Sequence, residues 1–194
     1  MLLPMPLLRM REAAFARGGL CAGPVSLDLN EGERAGRTCD SPQEASIVAM
    51  MATGVVKASS GCVLIGDFDP RVQSVACKRL AALVPHEPLA MTAAEFQRYV
   101  VYRAALWNVE PSRALVHAQL LQRRLHGMHE AFAYPLIAAL IVAPKLLVLD
   151  RPQVVYSREI LQAAGGRAVF STHTDAAAAR AFTPPGAGFF EERA

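Results

Sequence analysis

Two mostly apolar runs in the second half of the chain place the strongest constraint on its fold. Residues 145–150 read KLLVLD and residues 168–172 read AVFST. A strand that is apolar on both faces is typical of a parallel sheet covered by helices on both sides. Helical patterns alternate with such strands along the chain, so the sequence predicts an α/β fold built on a parallel sheet.

The size and charge of the chain limit the classes of protein to which it can belong. Its 194 residues suit a single domain over residues 1–194. The net charge is +3 without a block of basic residues, so no nucleic-acid partner is indicated.

No apolar run reaches the roughly 18 residues of a membrane span, and the start, MLLPMPLLRMR, is not expected to be a signal peptide. The four cysteines form no C-x-x-C pair, which indicates reduced thiols in a cytosolic protein.

Local patterns predict the elements of the first half. Residues 24–29 and 34–38 are predicted strands, and a buried helix is predicted over residues 46–54 with Ser46 near its N-cap. The segment SSGCVLIGDFDP then contains a strand followed by a turn. A short helix over residues 71–82 and a strand over 82–85 complete this half.

A helical insertion is predicted at about residues 91–135, between core segments 20–90 and 136–182. Thr92 and Glu95 form a capping box that begins its first helix, and Pro111 begins its second. Residues 136–143 are predicted to be helical, and a short helix precedes the strand AVFST. Residues 183–194 are expected to form a loosely ordered tail.

The order of these segments carries a resemblance. PVSLDLNEGE, SSGCVLIGDFDP, LVPHEP, PKLLVLDRP and AVFSTHTD follow one another with a helical insertion before the fourth. The chain resembles the nucleotide-binding domain of ATP-binding-cassette (ABC) transporters over roughly residues 24–182. That resemblance implies a P-loop NTPase-like fold, in which N-terminal antiparallel strands and a helical subdomain accompany a parallel sheet.

The phosphate-binding loop of that family falls on Cys39–Ser46, CDSPQEAS, and departs from the family pattern. Glycines let backbone N–H groups surround the phosphates, and a lysine neutralises their charge. This loop has neither glycine nor lysine, and it carries Asp40 and Glu44. Only Ser46 remains, at the position of the Mg²⁺-binding hydroxyl.

The resemblance also assigns positions beyond the loop. Asp150 matches the aspartate on the Mg²⁺ side, and His173 matches the histidine that contacts the γ-phosphate. Arg151 stands in place of the catalytic glutamate and His86 in place of a glutamine, while the signature loop falls on HGMHE, residues 126–130. A guanidinium cannot accept a proton at physiological pH, so no catalytic residue is predicted.

The tentative cofactor-binding residues are therefore Ser46, Asp150, Arg151 and His173, with Asp150 and Ser46 as metal ligands only if a Mg-nucleotide binds. No cofactor is expected, with Mg-ATP as the alternative. Arg151 is expected either to pair with Asp40 or Glu44 across the vacated loop, which we favour, or to bind a phosphate directly.

Two further clusters have alternative interpretations. His126, His129 and Glu130 could share a helix face and hold a metal, although solvated histidines at a helix start are the more common case. Trp107, Tyr99 and Tyr102 in the insertion either pack in its core or line a groove for a partner helix.

The resemblance implies a non-hydrolysing subunit of a membrane transport complex, cytoplasmic and held at the inner face of the membrane through its partner. That partner would be an ABC transmembrane subunit or an active ABC ATPase. The alternative is a soluble regulatory or interaction protein that kept the scaffold without binding nucleotide. An active ATPase is the least favoured hypothesis, because the residues that bind and activate the phosphates are missing.

Overall fold

The computed structural model describes residues 5–183, and the predicted tail lies outside this range except for Thr183. The strands and helices alternate through most of the chain, as the sequence predicts. The strands are β1 Leu8–Arg17, β2 Leu20–Leu29, β3 Arg34–Thr38, β4 Ser60–Ile65, β5 Ala81–Val84, β6 Leu146–Asp150 and β7 Ala168–His173. The helices are α1 Pro42–Ala52, α2 Ser74–Leu80, α3 Ala93–Leu106, α4 Pro111–Arg124, α5 Glu130–Leu140, α6 Ser157–Ala164 and α7 Ala176–Phe182.

A parallel sheet with the strand order β3-β7-β6-β5 forms the centre of the molecule. Every residue of β6 and β7 is buried, as expected of strands that helices cover on both faces. The α/β fold with a parallel sheet is thereby confirmed. Because the strands are parallel, their carboxyl ends lie at one edge, where Thr38 pairs with His173 and Asp150 pairs with Thr172.

A second sheet is antiparallel and has the order β2-β1-β4. Its central strand, β1, was not predicted from the sequence, and β2 begins at Leu20 rather than at residue 24. Irregularities in the pairing of β1 with both neighbours interrupt its two-residue periodicity around Glu12, which has a φ of 46°. A strand with a bulge loses the alternation by which a sequence reveals it.

Helix α1 begins at Pro42, so the prediction that Ser46 lies near its N-cap is wrong. Ser41 is the N-cap, and its hydroxyl accepts a hydrogen bond from the backbone N–H of Glu44 at 3.1 Å. Proline suits the first helical position because its fixed φ is helical and its missing N–H is not needed there. Ser46 therefore lies within the helix, one turn further along.

The first two helices of the insertion begin where the sequence predicts. Thr92 and Glu95 form both hydrogen bonds of the capping box before α3, and Pro111 is the first residue of α4. Helix α5, however, begins at Glu130 and not at residue 136.

Pro135 lies inside α5 and frees a carbonyl of this helix for a hydrogen bond with the segment that follows β5. Proline has no N–H, so the carbonyl of Ala131, four residues earlier, loses its helical partner. The backbone N–H of Leu89, in the segment that follows β5, donates to that carbonyl at 2.8 Å. The proline thus leaves an acceptor that joins α5 to the segment after β5.

We predict that Gly61→Ala destabilises the protein by about 2 kcal/mol or more. Gly61 has a φ of 68°, and a Cβ atom there would lie 2.1 Å from the carbonyl oxygen of Glu12 in the irregular part of β1. Gly127→Ala is the matched control, because a Cβ atom at that position would contact nothing within 4 Å. Urea unfolding measures both variants, and equal stability of the two would contradict this account of β1.

Candidate functional site

The carboxyl ends of β3, β6 and β7 bring together residues that are far apart in the sequence. Cys39, directly after β3, donates its backbone N–H to the carbonyl of His173 at 2.7 Å. Asp150 ends β6, with a side chain that is 7% exposed. The start of α1 lies at the same edge, because Ser46 in its second turn contacts Asp150.

Ser46, Asp150 and Arg151 form one hydrogen-bonded cluster, which we call the strand-end cluster. The Ser46 hydroxyl donates to Oδ2 of Asp150 at 2.7 Å, and Nε of Arg151 lies 3.0 Å from Oδ1 of the same carboxylate. Nη2 of Arg151 donates to the Ser46 oxygen at 2.9 Å. The guanidinium therefore bridges the hydroxyl and the carboxylate to which the resemblance assigns Mg²⁺ if a Mg-nucleotide binds.

The backbone of Arg151 is held in an unusual conformation that directs this guanidinium. Its φ is 44°, in the left-handed region that residues other than glycine rarely adopt. Its N–H donates to the carbonyl of Thr172 at 2.9 Å, and its carbonyl lies 2.9 Å from Nδ1 of His86. Because a carbonyl only accepts, His86 carries its hydrogen on Nδ1. These two bonds stabilise a conformation that costs on the order of 1 kcal/mol or more.

The loop from Cys39 to Ser46 uses its own side chains as hydrogen-bond acceptors. Glu44 accepts the N–H of Asp40 at 2.9 Å and the N–H of Gly23 at 3.3 Å. Ser41 accepts the N–H of Glu44, and Pro42 has none to offer. Among the N–H groups of the loop, those of Cys39, Asp40 and Glu44 are thus engaged within the protein.

The favoured expectation for Arg151 is wrong. Within residues 5–183 its ion pair is with Asp150, and it forms none with Asp40 or Glu44. Glu44 instead accepts backbone N–H groups, which its position three residues after the N-cap Ser41 allows. The segment SPQE, residues 41–44, contained this signal in the sequence, because Ser followed three residues later by Glu is typical of a helix start.

His173 does not join the strand-end cluster through its side chain. The residue is 2% exposed, its Nε2 lies 2.9 Å from the Ser171 hydroxyl, and its ring centroid lies 5.3 Å from that of Phe182. Burial lowers the pKa of this imidazole to about 4. Of the four tentative binding residues, the structure therefore brings three into hydrogen-bond contact and packs the fourth in the core.

The histidines of the segment 126–130 serve helix ends. Nδ1 of His129 accepts the N–H of Ala131 and caps α5, and Nδ1 of His126 lies 3.0 Å from the carbonyl of Arg123 at the end of α4. Across residues 5–183, no group of three His, Cys, Asp or Glu side chains is arranged to hold a metal.

The aromatic residues of the insertion differ in exposure. Tyr102 is 60% exposed, whereas Tyr99 is half-buried against the core. Trp107 donates its Nε1–H to the carbonyl of Lys78 at 3.2 Å, which joins the end of α3 to α2. The side chain of Arg103 stacks over the Trp107 ring at 4.6 Å.

Two cavities adjoin the strand-end cluster. One of about 460 Å³ is lined by residues that include Arg151, Val154, Val155 and Asp175. The other, of about 30 Å³, is largely apolar and lies between His86, Arg151 and helix α5. The smaller cavity has room for little more than water. In the part of the chain that the structure covers, no helix is long and apolar enough to cross a membrane.

Comparisons with known proteins show which solved structures share this fold. No protein-family model matches the sequence, and no curated protein matches it. Among solved structures, an ATP-binding subunit of an ABC transporter matches with a TM-score of 0.71 at 15% identity, over 91% of this chain and 83% of that one. The protein cbiO1 from Clostridium perfringens, part of the ABC transporter complex cbiONQ, matches with a TM-score of 0.69 at 14% identity, over 88% and 79%.

A third match is a dimeric ATP-binding cassette in a post-hydrolysis state with ADP and Pi. Its TM-score is 0.68 at 15% identity, over 90% of this chain and 91% of that one. The TM-scores establish the fold, and the low identities limit the conclusion to the fold. The chain has the fold of the ATP-binding subunits of ABC transporters. The fold that the resemblance implied is confirmed.

We predict that His173 makes the protein less stable as the pH falls below about 6.5. The unfolded chain takes up a proton on this residue near its ordinary pKa, but the folded protein does so only near about 4. Folding stability is therefore fully present above the unfolded pKa and declines as the pH falls towards 4. The contribution amounts to about 3 kcal/mol between the two limits.

Urea unfolding at several pH values tests this prediction. His173→Gln keeps a polar atom near Ser171 but does not titrate, so its stability should depend less on pH in this window than that of the wild type. His126→Gln is the control, because His126 is exposed, and it should behave as the wild type does. Parallel pH profiles for wild type and His173→Gln would contradict the prediction.

Proposed function

We propose that this chain is a non-hydrolysing ABC-type subunit, in which the protein's own side chains replace the Mg-nucleotide. The single observation that carries the proposal is the position of Arg151. Its guanidinium donates hydrogen bonds to both Ser46 and Asp150, the two oxygen ligands that the resemblance assigns to Mg²⁺. A divalent cation at these oxygens would meet a fixed positive charge at hydrogen-bond distance.

The residues present do not fit a Mg-nucleotide. Mg²⁺ requires oxygen ligands and, in enzymes of this type, a lysine and glycine-rich loop hold the phosphates beside it. Here Glu44 places a carboxylate on the loop amide of Asp40, where an anion would be repelled. Arg151 at the position of the catalytic glutamate offers no acceptor for a proton from water.

The exposed side of α3 supports docking on a transmembrane subunit. Tyr102 and Leu106 lie one turn apart on this helix and are 60% and 57% exposed. Val72 and Val75, beside and within α2, are also strongly exposed, and the hydrogen bond from Trp107 to Lys78 joins the two helices. Exposed apolar residues on adjoining elements are typical of a protein interface. Such a partner would hold the chain at the cytoplasmic face of a membrane.

We expect that millimolar Mg-ATP, ADP or GTP leaves the unfolding temperature of the purified protein unchanged. A ligand at about 100 times its dissociation constant stabilises the folded state by about 2.7 kcal/mol, which raises the midpoint of a domain of this size by roughly 5–10 °C. Thermal unfolding with and without each nucleotide makes the measurement.

A saturable shift with Mg-ATP would contradict the proposal. Arg151→Ala would then show whether the guanidinium is a phosphate ligand, because its loss would remove the shift. Release of phosphate from ATP, measured on the same preparation, would establish the alternative of an active ATPase.

Docking is tested separately by co-purification with a co-expressed transmembrane subunit in detergent. We expect that Tyr102→Glu and Leu106→Glu each reduce co-purification, because a charge at the centre of an apolar interface is left without a partner. Val155→Glu is the matched control, since Val155 is 77% exposed on a different element. Recovery of the wild-type chain without any membrane subunit would favour the soluble regulatory protein instead.

A further inference from the structure

A groove of about 720 Å³ lies where three helices of the insertion region meet, and it shares no lining residue with the cavities beside the strand-end cluster. The connection between α3 and α4, the face of α4 from Arg113 to Leu120, and the residues that directly follow α5 form its walls. Its volume falls within the roughly 300–1,000 Å³ of small-molecule sites. The groove therefore has the size of a ligand pocket, and its chemistry indicates which ligand.

One wall of the groove is apolar. Val116 and Leu120 lie one turn apart on α4 and are 57% and 50% exposed, while Ile141 at the end of α5 is buried beneath. Exposed aliphatic side chains above a buried one form a surface that an apolar chain can cover. Burial of such surface favours binding by about 25 cal/mol per Å² before other costs.

The same groove contains an arginine and a histidine on one face of α4. Arg113 and His117 lie one turn apart on α4 and both line it. Across residues 5–183, the Arg113 guanidinium has neither a hydrogen bond nor an ion pair. Glu110 also lines the groove, but its carboxylate accepts the N–H groups of Ser112 and Arg113 at the start of α4. These bonds hold the Glu110 carboxylate at the helix N-terminus, where its charge is favourable, and the charges that act on His117 are those of arginines.

Two more arginines contribute to the positive charge of this region. The pKa of His117 is lowered first by burial and then by Arg167, Arg124 and Arg113. Arg167 is held in place by the carbonyls of Pro144 and Ala164, and within residues 5–183 no ion pair neutralises its charge. An anion beside His117 would therefore lie in the positive field of three guanidinium groups.

We propose that this groove binds an amphipathic organic carboxylate, with the carboxylate on Arg113 and His117 and the apolar chain against Val116 and Leu120. A planar guanidinium binds a carboxylate through two parallel hydrogen bonds, which gives such a ligand a fixed orientation. The site is independent of the proposed function, because it uses no residue of the strand-end cluster.

Titration of the purified full chain with octanoate, followed by calorimetry, tests the proposal. We expect saturable binding at one site per chain, and about tenfold weaker binding to Arg113→Gln, since a charge-assisted hydrogen bond is lost. Arg123→Gln is the matched control, because Arg123 is an exposed arginine of the same helix that does not line the groove. It should bind as the wild type does, and 1-octanol should bind more weakly than octanoate.

Three results would overturn the proposal: no saturable binding of octanoate, equal affinity for octanoate and 1-octanol, or equal losses in Arg113→Gln and Arg123→Gln. Leu120→Ala gives an independent reading of the apolar wall, and unchanged octanoate affinity in this variant would also contradict the proposal. Sedimentation of the wild type would show, in that case, whether the groove is instead an interface between copies of this chain.

Discussion

The complete burial of β6 and β7 is the constraint on which the remaining structure depends. Helices must cover both faces of these strands, which determines the layered arrangement of α1 and α5–α7 around the sheet. The parallel pairing then places Asp150 and Thr172 side by side at the carboxyl edge. A carboxylate delivered to this edge is nearly enclosed and needs a partner, since a buried charge without one is strongly destabilising.

Arg151 meets that need from the next position in the chain. The left-handed φ of Arg151 turns the chain directly after β6. Its guanidinium can therefore reach back to the carboxylate of the preceding residue, Asp150. The bonds to Thr172 and His86 hold this turn at the N–H and at the carbonyl. A positive charge, a hydroxyl and a carboxylate thus satisfy one another through hydrogen bonds. Glu44 likewise accepts the N–H of Asp40 in the adjoining loop and that of Gly23 in β2.

This arrangement explains how the chain can have the fold of ABC ATP-binding subunits with a different loop sequence. The packing of the sheet requires apolar residues in β6 and β7, but it does not require a glycine-rich loop. A loop that begins a helix earlier, at Pro42, satisfies its own backbone groups through Ser41 and Glu44. The packing of this fold is therefore compatible with a loop that lacks the glycines and the lysine of the family that the chain resembles.

Much of the fold could be predicted from the sequence, because regular elements leave local signals. The capping box at Thr92 and Glu95 and the apolar strands β6 and β7 are examples of such signals. The strand β1 escaped prediction because bulges near Glu12 break its alternation, and the early start of α5 escaped because the imidazole of His129 caps it. The bulges of β1 depend on its pairing with other strands, and histidine is not among the residues usually expected as a helix cap.

The sequence by itself determined which residues the strand-end site contains and which it lacks, since the presence of Arg151 and the absence of a loop lysine are matters of composition and order. Only the tertiary structure decided how these residues pair. The sequence favoured Asp40 or Glu44 for Arg151, but the backbone turn at Arg151 makes Asp150 its partner. The same holds for His173, which folding placed against Phe182. The physical reason is that the direction of a side chain follows from φ and ψ and from packing across the sheet, neither of which is encoded in the local pattern.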